Sequence, residues 1–367
     1  MQLNLTAPIN QLGYGVASLN ILKALWNEGV ETSLFPVGGK QNVQLTNQDD
    51  ATIVHRSLHL AETAFDRDAP SVRIWHQNDL AQHVGKGLHI GFPIFELDTF
   101  TPQEKHHLAS CDMLFVCSEW AKQVIIDQVP KMKKGTAWSD PLIHVVPLGV
   151  DDTVFRPTAR VKNPNSPTVF FNCGKWEVRK GHDILGRAFR QAYTHNPNME
   201  LWMMCTNPFN TPEEENQWRK LYDHPAIKII PRANTQQEVY NIMAQTDCGV
   251  FPSRAEGWNL ELLEMMSVGR HVIATNYSAH TEFCNKNNSR LVDIRDKELA
   301  YDNKWFFGQG KWAKIDENTI FDLSLAMQSF AERDSQSINE DGIKTAQRFS
   351  WANSARTIKN ILGTKKG

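Results

Sequence analysis

The chain has 367 residues, 41% of them hydrophobic and 22% charged, with a formal net charge of -2. That length supplies one large domain or two ordinary ones with real cores, and the near-neutral balance excludes a global pull toward nucleic acid, so such a partner needs a local patch. No apolar run approaches the roughly 20 residues of a membrane span, and the opening "MQLNLTAPINQLGYG" lacks the basic start and apolar stretch of a secretory signal.

In chain order, an opening strand leads through "INQLGYGVASLN" into a helix over 16–28. "VRIWHQ", "LHIGFPI", "DMLFVCS" and "IHVVPLG" follow as strands, with helical periodicity at 103–110 and 119–128. Proline, asparagine and charge replace that periodicity in "GVDDTVFRPTARVKNPNSP", the expected break between domains. A second series follows, with strands "TVFFNCG", "LWMMCT", "IKIIP", "CGVFPS" and "HVIAT" and helices over 180–195, 236–245 and 259–268. The final "FSWANSARTIKNIL" is amphipathic and is expected to pack back on the first domain. Strand–helix alternation argues for parallel sheets covered on both faces, and its repetition argues for two doubly wound α/β domains. The expected division is 1–155 with the helix 350–367, and 156–349. Six scattered cysteines with no CxxC pair fit free thiols in a cytoplasmic chain. Of the eleven tryptophans, most are expected in cores, with sugar or base stacking open to some.

Ligands of such sheets bind beyond the carboxyl ends of the strands, so strand-to-loop junctions carry the chemistry. At "FPSRAEGWNLELLEMMSVG", Gly257 lets a ligand approach the backbone, and the start of the next helix suits phosphate. Glu264 lies roughly 7 Å along that helix, about the offset between a diphosphate and the ribose hydroxyls. Glu256, ahead of the helix, would face whatever hangs from the far phosphate. Two arbitrary glutamates at this spacing are more often a solvated helix face, and Glu261 shows that acids occur here without special placement. At "NCGKWEVRKGHD", Lys175, Arg179 and Lys180 gather where a helix starts, against its dipole, which suggests an anion between them. Gly13 and Gly15 form a weaker signal, since a full GxGxxG and a Walker lysine are both missing. His76 and Glu96 end strands in "VRIWHQND" and "GFPIFELD", where a sugar contact, proton transfer or a structural role are all open.

Taken together, these junctions resemble the retaining, nucleotide-sugar-dependent glycosyltransferases of the GT-B fold, specifically the large family four. "EGWNLELLE" is similar to that family's E-x7-E signature and "GKWEVRKG" to its donor loop. "IHVVPLGVDDTVFRP" is similar to its interdomain segment. "GFPIFELD", "LFVCSEWAKQVI" and "HVIATNYSAHTEFC" match one branch, so the resemblance spans nearly the whole chain. The first domain also resembles members encoded by tailed bacteriophages. The resemblance implies two Rossmann-like domains facing a central cleft, the first binding the acceptor and the second the donor. Lys175 and Lys180 would contact the donor diphosphate above Gly15, and Glu264 would hold the ribose. Glu256 would contact the transferred sugar, the backbone of Trp258, Asn259 and Leu260 would meet sugar and phosphate, and Arg232 would bracket the nucleobase. His76 would sit near the reacting sugar, so Glu256, Lys180 and His76 are the catalytic candidates. Trp258 and Asn259 depart from the family's phenylalanine and glycine, and a side chain at 259 would narrow the sugar pocket or add a hydrogen bond.

The implied donor is a UDP-sugar first and a GDP-sugar second, with no metal and no other cofactor required. "DRD" at 66–68 reads as surface charge. On the acceptor side the candidates are Glu96 and the loop "VPKMKKGTAWSDP" with Lys131, Lys133, Lys134 and Trp138. With the aromatic and basic "KWFFGQGKWAKI", that loop raises a second acceptor beside a saccharide hydroxyl, a hydroxymethylated pyrimidine in DNA. A protein that binds sugar nucleotides without turnover is the third reading.

Overall fold

The computed structural model describes residues 1–45, 48–129, 143–163, 165–333 and 337–363. The chain divides into two compact units, Met1–Asp151 with Phe349–Gly367, and Asp152–Arg348. Residues 152–155 go with the second unit, where Phe155 is buried and its carbonyl accepts a 2.5 Å hydrogen bond from Ser267 Oγ.

In the first unit the elements run β1 (Gln2–Ala7), α1 (Gly13–Asn27), β2 (Glu31–Pro36), α2 (Gln48–Thr63), β3 (Ser71–Ile74), β4 (His89–Phe92), α3 (Pro102–Ser110), β5 (Met113–Val116), α4 (Glu119–Gln128) and β6 (Ile143–Val145). The strands form one sheet in the order β2-β1-β3-β4-β5-β6, every neighbouring pair parallel. Parallel strands covered on both faces need apolar side chains throughout, and β3, β4 and β5 are buried at every position. The chain re-enters this unit at its end. Val150 donates to the Phe349 carbonyl at 2.9 Å, and Ser354 Oγ donates to the Pro147 carbonyl at 2.5 Å. Gly149 permits that approach, since a Cβ there would lie 2.1 Å from Trp351 N.

The second unit continues with β7 (Thr168–Gly174), α5 (His182–His195), β8 (Met199–Cys205), α6 (Pro212–Lys220), β9 (Ile227–Ile229), α7 (Gln236–Met243), β10 (Cys248–Phe251), α8 (Leu260–Ser267), β11 (His271–Thr275), α9 (His280–Phe283) and β12 (Arg290–Val292). A hairpin of β13 (Lys297–Tyr301) and β14 (Phe307–Ala313) precedes α10 (Glu317–Arg333) and α11 (Glu340–Arg348). The last helix, α12 (Trp351–Gly363), belongs to the first unit. The second parallel sheet has the order β12-β11-β10-β7-β8-β9. Its core joins Phe170, Phe189 and Met203 of the sheet and α5 to Leu323, Met327 and Phe330 of α10. Two doubly wound parallel sheets of six strands supply the two Rossmann-like domains that a GT-B fold requires. All six cysteines are buried free thiols.

Candidate active site

In the second sheet β10 and β7 are neighbours, and the chain leaves them in opposite directions, toward β11 and toward β8. This is the switch point of the sheet, the place where open α/β sheets hold their ligands beyond the strand ends. The loops there are 175–181, after β7, and 252–259, after β10. They are laced together. Arg254 N donates to the Arg179 carbonyl at 2.7 Å, and Arg254 Nη1 donates to the Val178 carbonyl at 2.5 Å. The same guanidinium takes both oxygens of Asp183 at 2.7 and 2.8 Å, and it lies over the Trp312 ring at 5.8 Å. Gly181 adopts φ +74°, and a Cβ there would stand 2.2 Å from the Pro252 carbonyl oxygen. Only glycine fits both the conformation and the contact.

Across this seam the charged side chains interlock. Arg179 Nη1 donates to the Ala255 carbonyl at 2.9 Å and to Glu256 Oε2 at 2.7 Å, while its Nη2 donates to Glu177 Oε2 at 2.7 Å. Lys180 Nζ lies 3.2 Å from Glu256 Oε1 and 3.9 Å from Glu261, and Lys175 Nζ lies 2.8 Å from Glu177. Ser253 Oγ donates to Glu256 Oε1 at 2.9 Å. Three cations therefore face three carboxylates of the protein itself. The three cations expected to flank an anion thus pair with Glu177, Glu256 and Glu261, and Arg179 is buried with 6% of its surface exposed. Burial alone would raise the Glu256 carboxyl, but the Arg179 and Lys180 charges overcome it and hold Glu256 far below the usual range. Burial likewise opposes the Lys180 charge, and Glu256 and Glu261 raise its pKa in spite of it. Glu177, buried beside Arg179 and Lys175, is pulled down to about 2.

Beneath the first loop, His182 Nδ1 accepts from Glu177 N at 3.1 Å, and its Nε2 lies 2.9 Å from Asn172 Oδ1. With Nδ1 an acceptor, Nε2 carries the proton and the ring is neutral. Burial and the nearby Lys180 lower its pKa to about 3.

Helix α8 begins from Asn259, whose φ of +89° is a left-handed conformation that asparagine tolerates better than most side chains. Its Oδ1 accepts from Leu262 N at 3.1 Å and caps the helix, and its Nδ2 lies 2.9 Å from His280 Nε2. His280 Nδ1 lies 3.0 Å from the Thr275 carbonyl, which can only accept, so Nε2 is the acceptor for Asn259. The side chain at 259 is thus hydrogen-bonded to Leu262 and His280. Trp258 is buried with its ring 4.9 Å from Phe283, Leu260 opens the helix, and Glu264 is buried on its second turn. Arg232 is exposed beyond β9, two strands from β7 in the sheet.

The first unit has its own switch point, between β1 and β3. Gly15 lies in the first turn of α1, where a Cβ would meet the Asn10 carbonyl oxygen at 2.4 Å. Tyr14 beside it packs at a tilt against His76, with ring centroids 4.7 Å apart, and against Trp75 at 5.6 Å. Its hydroxyl donates to the Ile94 carbonyl at 2.6 Å and accepts from Ile94 N at 3.0 Å. Burial, then the charge of Glu96, pushes the Tyr14 hydroxyl well above its usual value. Gly15, His76 and Glu96 thus converge on one tyrosine that the sequence reading passed over. The aromatic residue between two glycines was the available signal.

Lys131, Lys133, Lys134 and Trp138 lie outside the described residues. The segment "KWFFGQGKWAKI" contains the second strand of the hairpin, with Trp312 buried in that strand and Trp305 exposed ahead of it. Lys304 bonds Glu214 at 3.1 Å, the Phe209 carbonyl at 2.9 Å and Asn210 at 2.8 Å. Its charge is therefore matched within the protein. Trp305 meets Phe209 edge-on at 5.6 Å, and Lys175 lies 5.7 Å above that Phe209 ring. Asp66 and Asp68 sit in an exposed turn.

Residues 167–303 match the family model described as Glycosyl transferases group 1. The chain is 25% identical over 237 residues to the D-inositol 3-phosphate glycosyltransferase of Corynebacterium kroppenstedtii, across 60% of this chain and 47% of that protein. It thus spans about half the length of the curated relative it matches. Among solved structures, sucrose-phosphate synthase from Thermosynechococcus elongatus superposes with a TM-score of 0.69 at 13% identity, covering 99% of this chain and 98% of the other. Anabaena HepE in complex with UDP and glucose gives 0.65 at 15% identity over 99% and 100% of the two chains. Trehalose-6-phosphate from E. coli, bound with UDP-2-fluoro glucose, gives 0.65 at 11% identity over 99% of each chain.

Proposed function

We propose that the chain is a retaining glycosyltransferase that moves a hexosyl or pentosyl group from a nucleotide-sugar to a hydroxyl acceptor. The observation that carries this reading is Lys180, from the loop after β7, bonded to Glu256 in the loop after β10, ahead of the helix that carries Glu264. In this reading the diphosphate lies over the start of α8 and draws Lys175 and Lys180 from Glu177, Glu256 and Glu261. Glu264 binds the ribose hydroxyls, Glu256 contacts the transferred sugar, and Arg232 serves the nucleobase. The leaving diphosphate, held by the lysines, gains negative charge as the anomeric bond breaks, and fixed cations stabilise that charge without reorganising. On retention the acceptor enters on the face the diphosphate leaves, so a diphosphate oxygen takes the acceptor proton. Tyr14, His76 and Glu96 form the acceptor-side surface of the first unit.

The donor is a UDP-sugar ahead of a GDP-sugar, in line with the UDP complexes of the similar folds. A saccharide or polyol hydroxyl is the leading acceptor, supported by the relative named for an inositol phosphate. The pairing of Lys304 with Glu214 removes one cation from the patch that a DNA acceptor would use. Nucleotide release from a panel of UDP- and GDP-sugars, with and without acceptor, tests the proposal. Release that needs the donor sugar and rises with acceptor supports it, and silence across the panel refutes it.

A further inference from the structure

Resting on the transferase reading above, we infer that Arg179 is a positioning residue for the sugar-contacting Glu256, and that it does not itself bind the donor diphosphate. Its guanidinium is buried and donates to at least three protein oxygens. Two of them, the Ala255 carbonyl and Glu256 Oε2, fix the backbone before residue 256 and the carboxylate of residue 256 at once. The third, Glu177 Oε2, sits on the other side of the fork. A planar fork holds such a set in one orientation, which an ammonium on a flexible stem does not. Glu177 is itself anchored by Lys175 and, through its N–H, by His182, which reaches Asn172 on β7. Asn172 Nδ2 then donates to the Val250 carbonyl of β10 at 2.7 Å. A continuous chain thus runs from the two central strands through His182, Glu177 and Arg179 to Glu256. Lys180 occupies the other oxygen of Glu256, so diphosphate arrival can remove Lys180 without releasing the carboxylate. Arg179 keeps Glu256 ionised and aimed after Lys180 has turned to phosphate.

The test is Arg179→Lys, which retains the charge and loses the fork. Bare UDP should bind within about threefold of wild type, because no contact to phosphate is removed, while kcat with the preferred donor falls by about 100-fold. The charge-balanced pair Arg179→Met with Glu177→Gln should repeat that split and decides the matter where the lysine variant does not fold. Unchanged kcat in a folded variant overturns the assignment. So does a loss of UDP affinity in proportion to kcat, the signature of a loop that has only lost its structure. Wild-type chain that binds no UDP or GDP nucleotide and turns over no nucleotide-sugar refutes the transferase reading itself, and the positioning role with it.

Discussion

Arg179 and Glu256, 77 positions apart in the chain, form a 2.7 Å ion pair that is almost wholly buried. A buried pair is weak evidence of stability in itself, because taking two charges from water costs about as much as their attraction returns. Here the pair joins the loops at the carboxyl ends of two adjacent strands, and it draws the rest of the site's charge around it. Lys180 completes the Glu256 shell, and Glu177 completes that of Arg179.

Lys180→Ala removes the cation assigned to the diphosphate and leaves Glu256 with Arg179. Transfer should be lost and UDP affinity should fall by about tenfold or more, as removal of a charge-assisted contact to phosphate implies. Titration with UDP followed by calorimetry checks the binding. Wild-type affinity would move the diphosphate away from α8.

Glu256→Ala should behave differently, costing kcat far more than UDP affinity, since its assigned contact is to the sugar. Steady-state kinetics with the preferred donor separates the two effects. Equal loss in both would make Glu256 a structural partner of Arg179 and Lys180 alone.

Asn259→Ala should destabilise the protein by about 2 kcal/mol, combining a lost helix cap with left-handed backbone strain. Asn259→Gly relieves the strain and should cost well under half as much. Urea unfolding compares the two. The glycine variant should also keep the wild-type order of donor sugars, because the Asn259 side chain faces Leu262 and His280.

His182 sets a pH window for stability. Its folded-state pKa of about 3 lies below the ordinary value of 6.5, so the unfolded chain binds the proton first as pH falls. The stability contributed by the neutral ring is complete above 6.5 and is lost progressively as pH falls toward 3. Between pH 6.5 and about 4.5 the carboxylates have yet to titrate, and buried His280, also lowered, adds to the slope. His182→Gln should flatten the dependence of unfolding free energy on pH in that window, as read by denaturant unfolding at several pH values. An unchanged slope would contradict the neutral, buried assignment.

Much of this architecture was legible in residue patterns. Continuous apolar runs marked β7 and β11 at their observed limits, and α4 has the span its periodicity predicts. Other elements left weaker traces. Helix α6 has no buried residue, so no apolar stripe reveals it, although Thr211, Pro212 and Glu214 spell a capping box at its start. The β13–β14 hairpin carries a register irregularity between Leu299 and Tyr301, and both side chains point outward. Its alternation therefore does not read as a half-buried strand.

Within the site, the loops and both glutamates could be picked out locally, because glycine, lysine and a helix start lie within a few residues. The role of Arg179 could not. Sequence shows three cations together and suggests an external anion, whereas Arg179 and Lys180 both pair with one acid, Glu256, 77 and 76 positions away. Arg254 was missed for the same reason, since its partners Val178 and Asp183 are 76 and 71 positions distant.

The most direct measurement is the mass and anomeric configuration of an acceptor after incubation with the chain and its preferred nucleotide-sugar. The account predicts a gain of one glycosyl residue with the donor's anomeric configuration kept, and no gain with Lys180→Ala. An inverted product would contradict the same-face mechanism. No product from any UDP- or GDP-sugar, across saccharide, polyol and hydroxymethylated DNA acceptors, would contradict the transferase reading altogether.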